Sequence, residues 1–142
     1  MLNGIKKDEG RVNQPYRDIV GVWTVCDGIT GPDVIHGKTY TDAECNALTI
    51  KHVESHGEAL LSCINVRITQ EMYEALASWA YNVGTQAACK STAIRLINAG
   101  RYVDGCNDLM RWNRAGGQVV RGLTLRRERE RDKCIAGIPN TG

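Results

Sequence analysis

The sequence predicts an α+β fold, a small β-lobe followed by a larger helical part, on three observations. Between Tyr16 and Tyr40, Val20, Val22 and Thr24 stand at strand-like spacing, interrupted by Gly21, Gly28, Gly31 and Gly37. From Thr41 onward the apolar residues recur at three- and four-residue intervals, the period of a helix with one buried face. The 142 residues, 42% hydrophobic and 24% charged, suit one soluble globular domain rather than a disordered or fibrous chain.

Taken in order, residues 4–10 can form a short helix, and the β-region follows, about residues 14–40, with its glycines marking turns because they accept positive φ. Thr41 opens the next helix through T-x-x-E: its hydroxyl caps a free N–H while Glu44 reaches back to the Thr41 amide. Thr69 precedes Met72, Leu76, Trp79, Ala80 and Val83, the clearest core stripe in the chain. Shorter helices are expected over Thr92 to Ala99, stopped by Gly100, and over Val103 to Trp112, with Cys106, Leu109 and Met110 on one face. Ala115-Gly116-Gly117 reads as a turn, Leu123 to Ile135 as the last helix, and Pro139 to Gly142 as a frayed tail.

Net charge is +2, too mild to call for a nucleic-acid partner, although the stretch from Arg111 to Lys133 is basic. No run of about 18 apolar residues is present, and the opening Met-Leu-Asn-Gly-Ile-Lys-Lys lacks an apolar stretch of signal-peptide length. Membrane contact is therefore expected only through an N-terminal anchor absent from these residues. The six cysteines, Cys26, Cys45, Cys63, Cys89, Cys106 and Cys134, are scattered and form no C-x-x-C pair. That pattern favours disulfides in an oxidising compartment over a zinc site, and sequence alone does not choose among the fifteen connectivities six cysteines allow.

Chemistry concentrates in E-G-R-V-N-Q-P-Y-R-D-I-V-G-V-W-T, residues 9–24. Glu9 and Asp18 are two carboxyls that can face one another across a cleft, as glycosidic hydrolysis requires: one protonated to donate to the leaving oxygen, one ionised to guide water or stabilise the transition state. Thr24 adds a hydroxyl that can donate to Asp18 and accept from that water. Two acids at this spacing are commonplace, so the spacing by itself leaves plain surface acids open.

The fuller pattern E-G…Y-x-D-x-x-G-x-x-T, met by Glu9, Tyr16, Asp18, Gly21 and Thr24, resembles the catalytic signature of the phage-type lysozymes. The likeness runs through Gly37-Lys38-Thr39-Tyr40-Thr41, Tyr81-Asn82-Val83-Gly84, Arg111-Trp112, Ala115-Gly116-Gly117 and Arg126-Arg127-Glu128, covering nearly the whole chain, and is strongest with lambdoid endolysins of the signal-anchor-release kind. It implies a lysozyme-like fold of a single domain over residues 1–142, with an active-site groove between a β-lobe and a helical lobe. It also implies an endolysin that hydrolyses the β-1,4 bond between N-acetylmuramic acid and N-acetylglucosamine in peptidoglycan with inversion, acting as a monomer in the host periplasm without a cofactor. Glu9 is then the general acid, Asp18 helps activate water, Thr24 positions it, and Asn82 binds the sugar N-acetyl groups or caps its helix. After Thr24 the chain departs from the family's G-x-G-H type of turn with Val25-Cys26-Asp27-Gly28. The rival readings are a lytic transglycosylase and a wall-binding module that has lost catalysis.

Remaining residues take plainer readings. Asp27 is read as a turn aspartate bonding its own backbone, with a direct catalytic part as the alternative. His52 and His56 stand four apart, but H-V-E-S-H lacks the glutamate placement of a zinc protease, so no metal is expected and both are read as exposed helix residues. His36 is read as a loop residue, and Trp23, Trp79 and Trp112 as core rather than sugar platforms. R-R-E-R-E-R, residues 126–131, reads as an ion-paired surface, with Arg126 or Arg127 able to pair with Glu9. As a hypothesis on the cysteines, Cys26–Cys45 and Cys106–Cys134 pair within their lobes, leaving Cys63 with Cys89; in signal-anchor-release relatives disulfide exchange can switch activity on.

Overall fold

The glycine-punctuated segment folds as an antiparallel hairpin of β1 (Val12–Arg17) and β2 (Trp23–Cys26) in the computed structural model, which describes residues 10–18 and 20–139. The predicted helix over residues 4–10 and the tail beyond Pro139 therefore lie outside the described residues, apart from Gly10 itself, which is a turn residue. Tyr16 pairs with Thr24 and Arg17 with Trp23, and the register then slips between Tyr16 and Val12, which pairs with Cys26. Pro15, which has no N–H to give a ladder, falls inside this irregular stretch. Strand structure is narrower than the sequence suggests: Val20 and Val22 belong to the turn, and residues 30–40 form bends and turns, because the closely spaced glycines end extended pairing. All four glycines expected at turns do have positive φ. Tyr40 organises the loop: its hydroxyl donates to the Asp33 carbonyl at 2.6 Å and accepts from the Ile35 amide at 2.9 Å.

The capping box forms as predicted, with Thr41 Oγ1 accepting from the Glu44 amide and Glu44 Oε1 from the Thr41 amide, each at 3.1 Å. It starts α1 (Asp42–Leu61), whose buried residues Cys45, Thr49, Val53, Gly57 and Leu60 recur at three- and four-residue steps. The chain divides into two compact units, residues 1–53 and 54–142, and α1 begins in the first and ends in the second.

In the second unit, α2 (Gln70–Val83) is capped by the Thr69 hydroxyl on the Met72 amide and buries Met72, Ala75, Leu76, Trp79 and Ala80, as the periodicity predicts. A five-residue α3 (Thr85–Cys89) follows, then α4 (Thr92–Asn98), α5 (Tyr102–Asp108) and a 3-10 turn over Leu109–Arg111. Gly116 and Gly117, both at positive φ, make the two-residue turn of a small hairpin between β3 (Arg114–Ala115) and β4 (Gln118–Val119). The chain closes with α6 (Arg121–Ala136), packed along α2. The core of this unit joins Leu60, Leu76, Trp79, Ile94, Ile97 and Leu109 with the sulfurs of Cys106 and Cys134.

Three disulfides are present, Cys26–Cys45, Cys63–Cys89 and Cys106–Cys134, the pairing put forward from the sequence, and each lies within one unit.

Candidate active site

The β1–β2 turn builds the first part of the site. Asp18 closes it, its amide donating to the Val22 carbonyl at 2.9 Å and its carbonyl accepting from the Gly21 amide at 2.9 Å. Its side chain joins in: Oδ1 accepts from the amides of Val20 and Val22 at 3.0 and 2.9 Å, so the carboxylate is fixed by backbone rather than by a flexible partner. Among the described residues nothing bonds the second oxygen, Oδ2, of this half-buried side chain.

Thr24 lies on β2 opposite Tyr16, and Asp18 is two residues beyond Tyr16 and opposite Val22. Side chains alternate along a strand, so this register assigns Asp18, Tyr16 and Thr24 to one face of the hairpin. The Thr24 hydroxyl donates to the Val22 carbonyl at 3.0 Å rather than to Asp18, which corrects the bond expected from the sequence. With its proton committed to its own strand, Thr24 is left with acceptor lone pairs. Glu9 lies outside the described residues.

Asp27 departs from its reading as a turn residue bonding its own backbone. It is fully buried, and the Arg11 guanidinium grips it at two points, Nε to Oδ1 at 3.0 Å and Nη2 to Oδ2 at 2.7 Å, while Thr49 of α1 donates to Oδ2 at 2.5 Å. The carboxylate holds the Arg11 pKa above its ordinary value, first through this hydrogen bond. Arg11 and Thr49 were not legible as partners of Asp27, because contacts 16 and 22 positions long leave no periodic signal. Trp23 is half-buried, with the Arg17 guanidinium 5.2 Å from its ring centre and the His36 ring at 4.2 Å, so it is neither core nor an open sugar platform.

In the second unit, exposed Asn82 at the end of α2 lines a cavity of about 380 Å³ with Val83, Arg111, Trp112, Arg114 and Leu123. Trp79 is wholly buried, the core placement expected of it, and meets edge to face at 5.8 Å the ring of Trp112, which is half-buried, packing on that core on one side and lining the cavity on the other. The predicted ion-paired surface on α6 is in large part interior. Arg126, Arg127 and Glu130 are buried, with Arg127 Nε 2.8 Å from Glu130 Oε1, Arg126 Nε 3.4 Å from Oε2, and the Ser78 hydroxyl donating to Oε2 at 2.7 Å. Burial pushes the Glu130 carboxyl up, against the pull of the two guanidiniums. His52 and His56 are half-buried rather than exposed: His52 Nε2 lies 2.9 Å from Asp33 Oδ2, and the His56 ring packs on Tyr81 at 5.5 Å.

Comparison with known proteins shows the family. The model of the phage lysozyme family matches residues 6–130. The SAR-endolysin of Enterobacteria phage P21 is 47% identical over 129 residues, covering 91% of this chain and 78% of the relative. Among solved structures, the muramidase domain of SpmX from Asticaccaulis excentricus superposes with a TM-score of 0.85 at 26% identity, covering 94% of this chain and 93% of that one. The active form of P1 phage endolysin Lyz gives a TM-score of 0.82 at 26% identity, covering 99% and 85%. A family match over residues 6–130, which takes in the hairpin and most of the helices, and a relative 47% identical over 129 residues make this chain a member of the phage lysozyme family.

Proposed function

We propose that this enzyme cleaves the β-1,4 bond between N-acetylmuramic acid and N-acetylglucosamine with inversion, using Glu9, Asp18 and Thr24, and that Asn82 holds the glycan. Membership of the phage lysozyme family makes the chain a glycoside hydrolase that degrades peptidoglycan in lysis. The observation that best supports the assignment is the fixed Asp18 carboxylate, with one oxygen held by two amides and the other without a partner among the described residues, on the same hairpin face as Thr24. A water donating one hydrogen to Thr24 Oγ1 and the other to Asp18 Oδ2 has its lone pair free to attack the anomeric carbon. Glu9 protonates the departing glycosidic oxygen, Asp18 takes the proton lost by the water, and solvent returns both carboxyls to their starting states.

Asn82 offers an amide that both donates and accepts, suited to an N-acetyl group, beside an apolar wall of Val83, Trp112 and Leu123. The protein acts on the wall from the periplasmic side as a monomer, its two units working as one lysozyme domain.

Clearing of permeabilised Gram-negative cells tests the assignment. Glu9→Gln and Asp18→Asn lose activity by on the order of 10²- to 10⁴-fold while keeping the wild-type circular dichroism spectrum. Proton NMR of the first product formed shows the α-anomer. A Glu9→Gln variant that clears cells at the wild-type rate removes Glu9 from the chemistry, and a β-anomer removes inversion.

A further inference from the structure

Two consecutive residues at the end of β2 are tied to the same helix. Cys26 is bridged to Cys45 of α1, and Asp27 accepts from Thr49, one helical turn further along the same face. In a continuing strand the side chains of neighbours 26 and 27 would point to opposite sides. The chain avoids this by placing Cys26 at a φ of 61°, the one non-glycine residue with positive φ among the described residues. Left-handed backbone is costly for a side-chain-bearing residue and persists where its surroundings over-determine it. Here the surroundings are the disulfide on one side and the Asp27 site on the other.

That site also receives a third segment. Arg11 is all but buried, its side chain 6% exposed beside the fully buried Asp27, and its Nη1 also reaches the Asp42 carbonyl at 3.3 Å, at the start of α1. A bidentate guanidinium–carboxylate bond sets angle as well as distance, which a lysine in its place would not do. In sequence, Arg11 stands two residues after Glu9, and Asp27 three after Thr24.

We propose that Arg11 and Asp27 are a positioning pair for catalysis: their buried two-point bond, anchored on Thr49, fixes the segment leaving Glu9 against the segment leaving Thr24. Neither touches substrate. The inference rests on the assignment of Glu9 and Thr24 made above, and goes beyond it by naming the bond that ties Arg11, two residues after Glu9, to the end of β2. Because the acid must reach the glycosidic oxygen while the water on Thr24 meets the opposite face of the sugar, with little tolerance in either distance, the pair governs turnover more than binding.

Steady-state kinetics on purified soluble peptidoglycan strands, at a temperature where circular dichroism shows every variant folded, test the pair. Arg11→Lys keeps the charge and loses the fork; Asp27→Asn keeps the shape and loses the charge. Each lowers kcat by about 10- to 100-fold with KM within about twofold of wild type. Ser91→Ala, which removes a helix cap in the second unit, serves as a control that destabilises without affecting this pair. It leaves kcat at the wild-type value. If Arg11→Lys is folded and turns over at the wild-type rate, or if the loss falls on KM alone, the positioning role is overturned; should Asp27→Asn not fold, Arg11→Lys decides. Glu9→Gln is run alongside: activity there at the wild-type level refutes the underlying site assignment, whereas an inactive Glu9→Gln with a fully active Arg11→Lys refutes the positioning pair alone.

Discussion

A buried charge is stable only with its partners, and Glu130 is the clearest case among the described residues. Its side chain is 5% exposed, between Arg127 at 2.8 Å, Arg126 at 3.4 Å and the Ser78 hydroxyl at 2.7 Å. Removing one member of such a group leaves buried charge without its counter-ion and costs about 3–5 kcal/mol, more than the group contributes when intact. Urea denaturation of Glu130→Ala is therefore expected to show a loss of about that size. Asp132→Ala, two positions along the same helix with an exposed carboxylate beside Arg131, loses less than about 1 kcal/mol. Equal midpoints for the two variants would show that Glu130 is solvated. The sequence concealed this difference: R-R-E-R-E-R alternates sign in a way that fits a wet helix face, and which arginines turn inward depends on α2 packing against α6.

Helix starts have a simple rule, and elements obeying it were legible. The Thr41–Glu44 box and the Thr69 cap both carry the bonds their sequences predict. Thr69 does more than cap: its hydroxyl donates to the Gly137 carbonyl at 2.7 Å, tying the start of α2 to the end of α6. Thr69→Ala loses both bonds, and thermal unfolding should report about 1–2 kcal/mol of destabilisation; a variant as stable as wild type would mean water replaces the hydroxyl at no cost. The uncapped α5 and α6 were still expected, over Val103 to Trp112 and Leu123 to Ile135, but the shortest elements outside the rule were missed. The five residues of α3 have no side-chain cap and too little length for periodicity, and the two-residue strands β3 and β4 gave only their turn, Gly116-Gly117. At the candidate site, Asp18 and Thr24 were singled out from the sequence because the signature they meet is local, whereas Arg11 and Thr49 join Asp27 through contacts 16 and 22 residues long.

At the scale of the whole chain, three disulfides hold segments 19, 26 and 28 residues apart, so the remaining sensitivity to solution conditions lies with charges. Among the described residues, three carboxylates are held below their ordinary pKa values. Asp33 is lowered by hydrogen bonds from His52 and Lys51, Glu44 by Lys38 and the Thr41 amide, and Glu74 by Lys133. A carboxyl with a depressed folded pKa binds fewer protons folded than unfolded, so its contribution is complete above the unfolded value and is lost as pH falls through the folded one. With ordinary values of 3.8 for Asp33 and 4.5 for the two glutamates, that loss begins in the pH range just above 4 and continues below it. Glu130 acts in the opposite sense: its carboxyl is raised by burial, so its contribution is complete at low pH and declines as pH rises through the raised value. With three carboxylates against one, Tm is expected to hold level from pH 7 to about 5 and to fall below about 4. Because Lys38–Glu44 at 2.6 Å and Lys133–Glu74 at 3.2 Å are solvent-accessible pairs, salt should weaken them and make the fall shallower. Lys38→Met with Lys133→Met should flatten it further, since each removes the group that does most to lower its carboxylate. A scan from pH 7 to 3 in low and high salt reads this directly, and a Tm that rises on acidification would mean that protonation of Glu130 outweighs the loss of the three ion pairs.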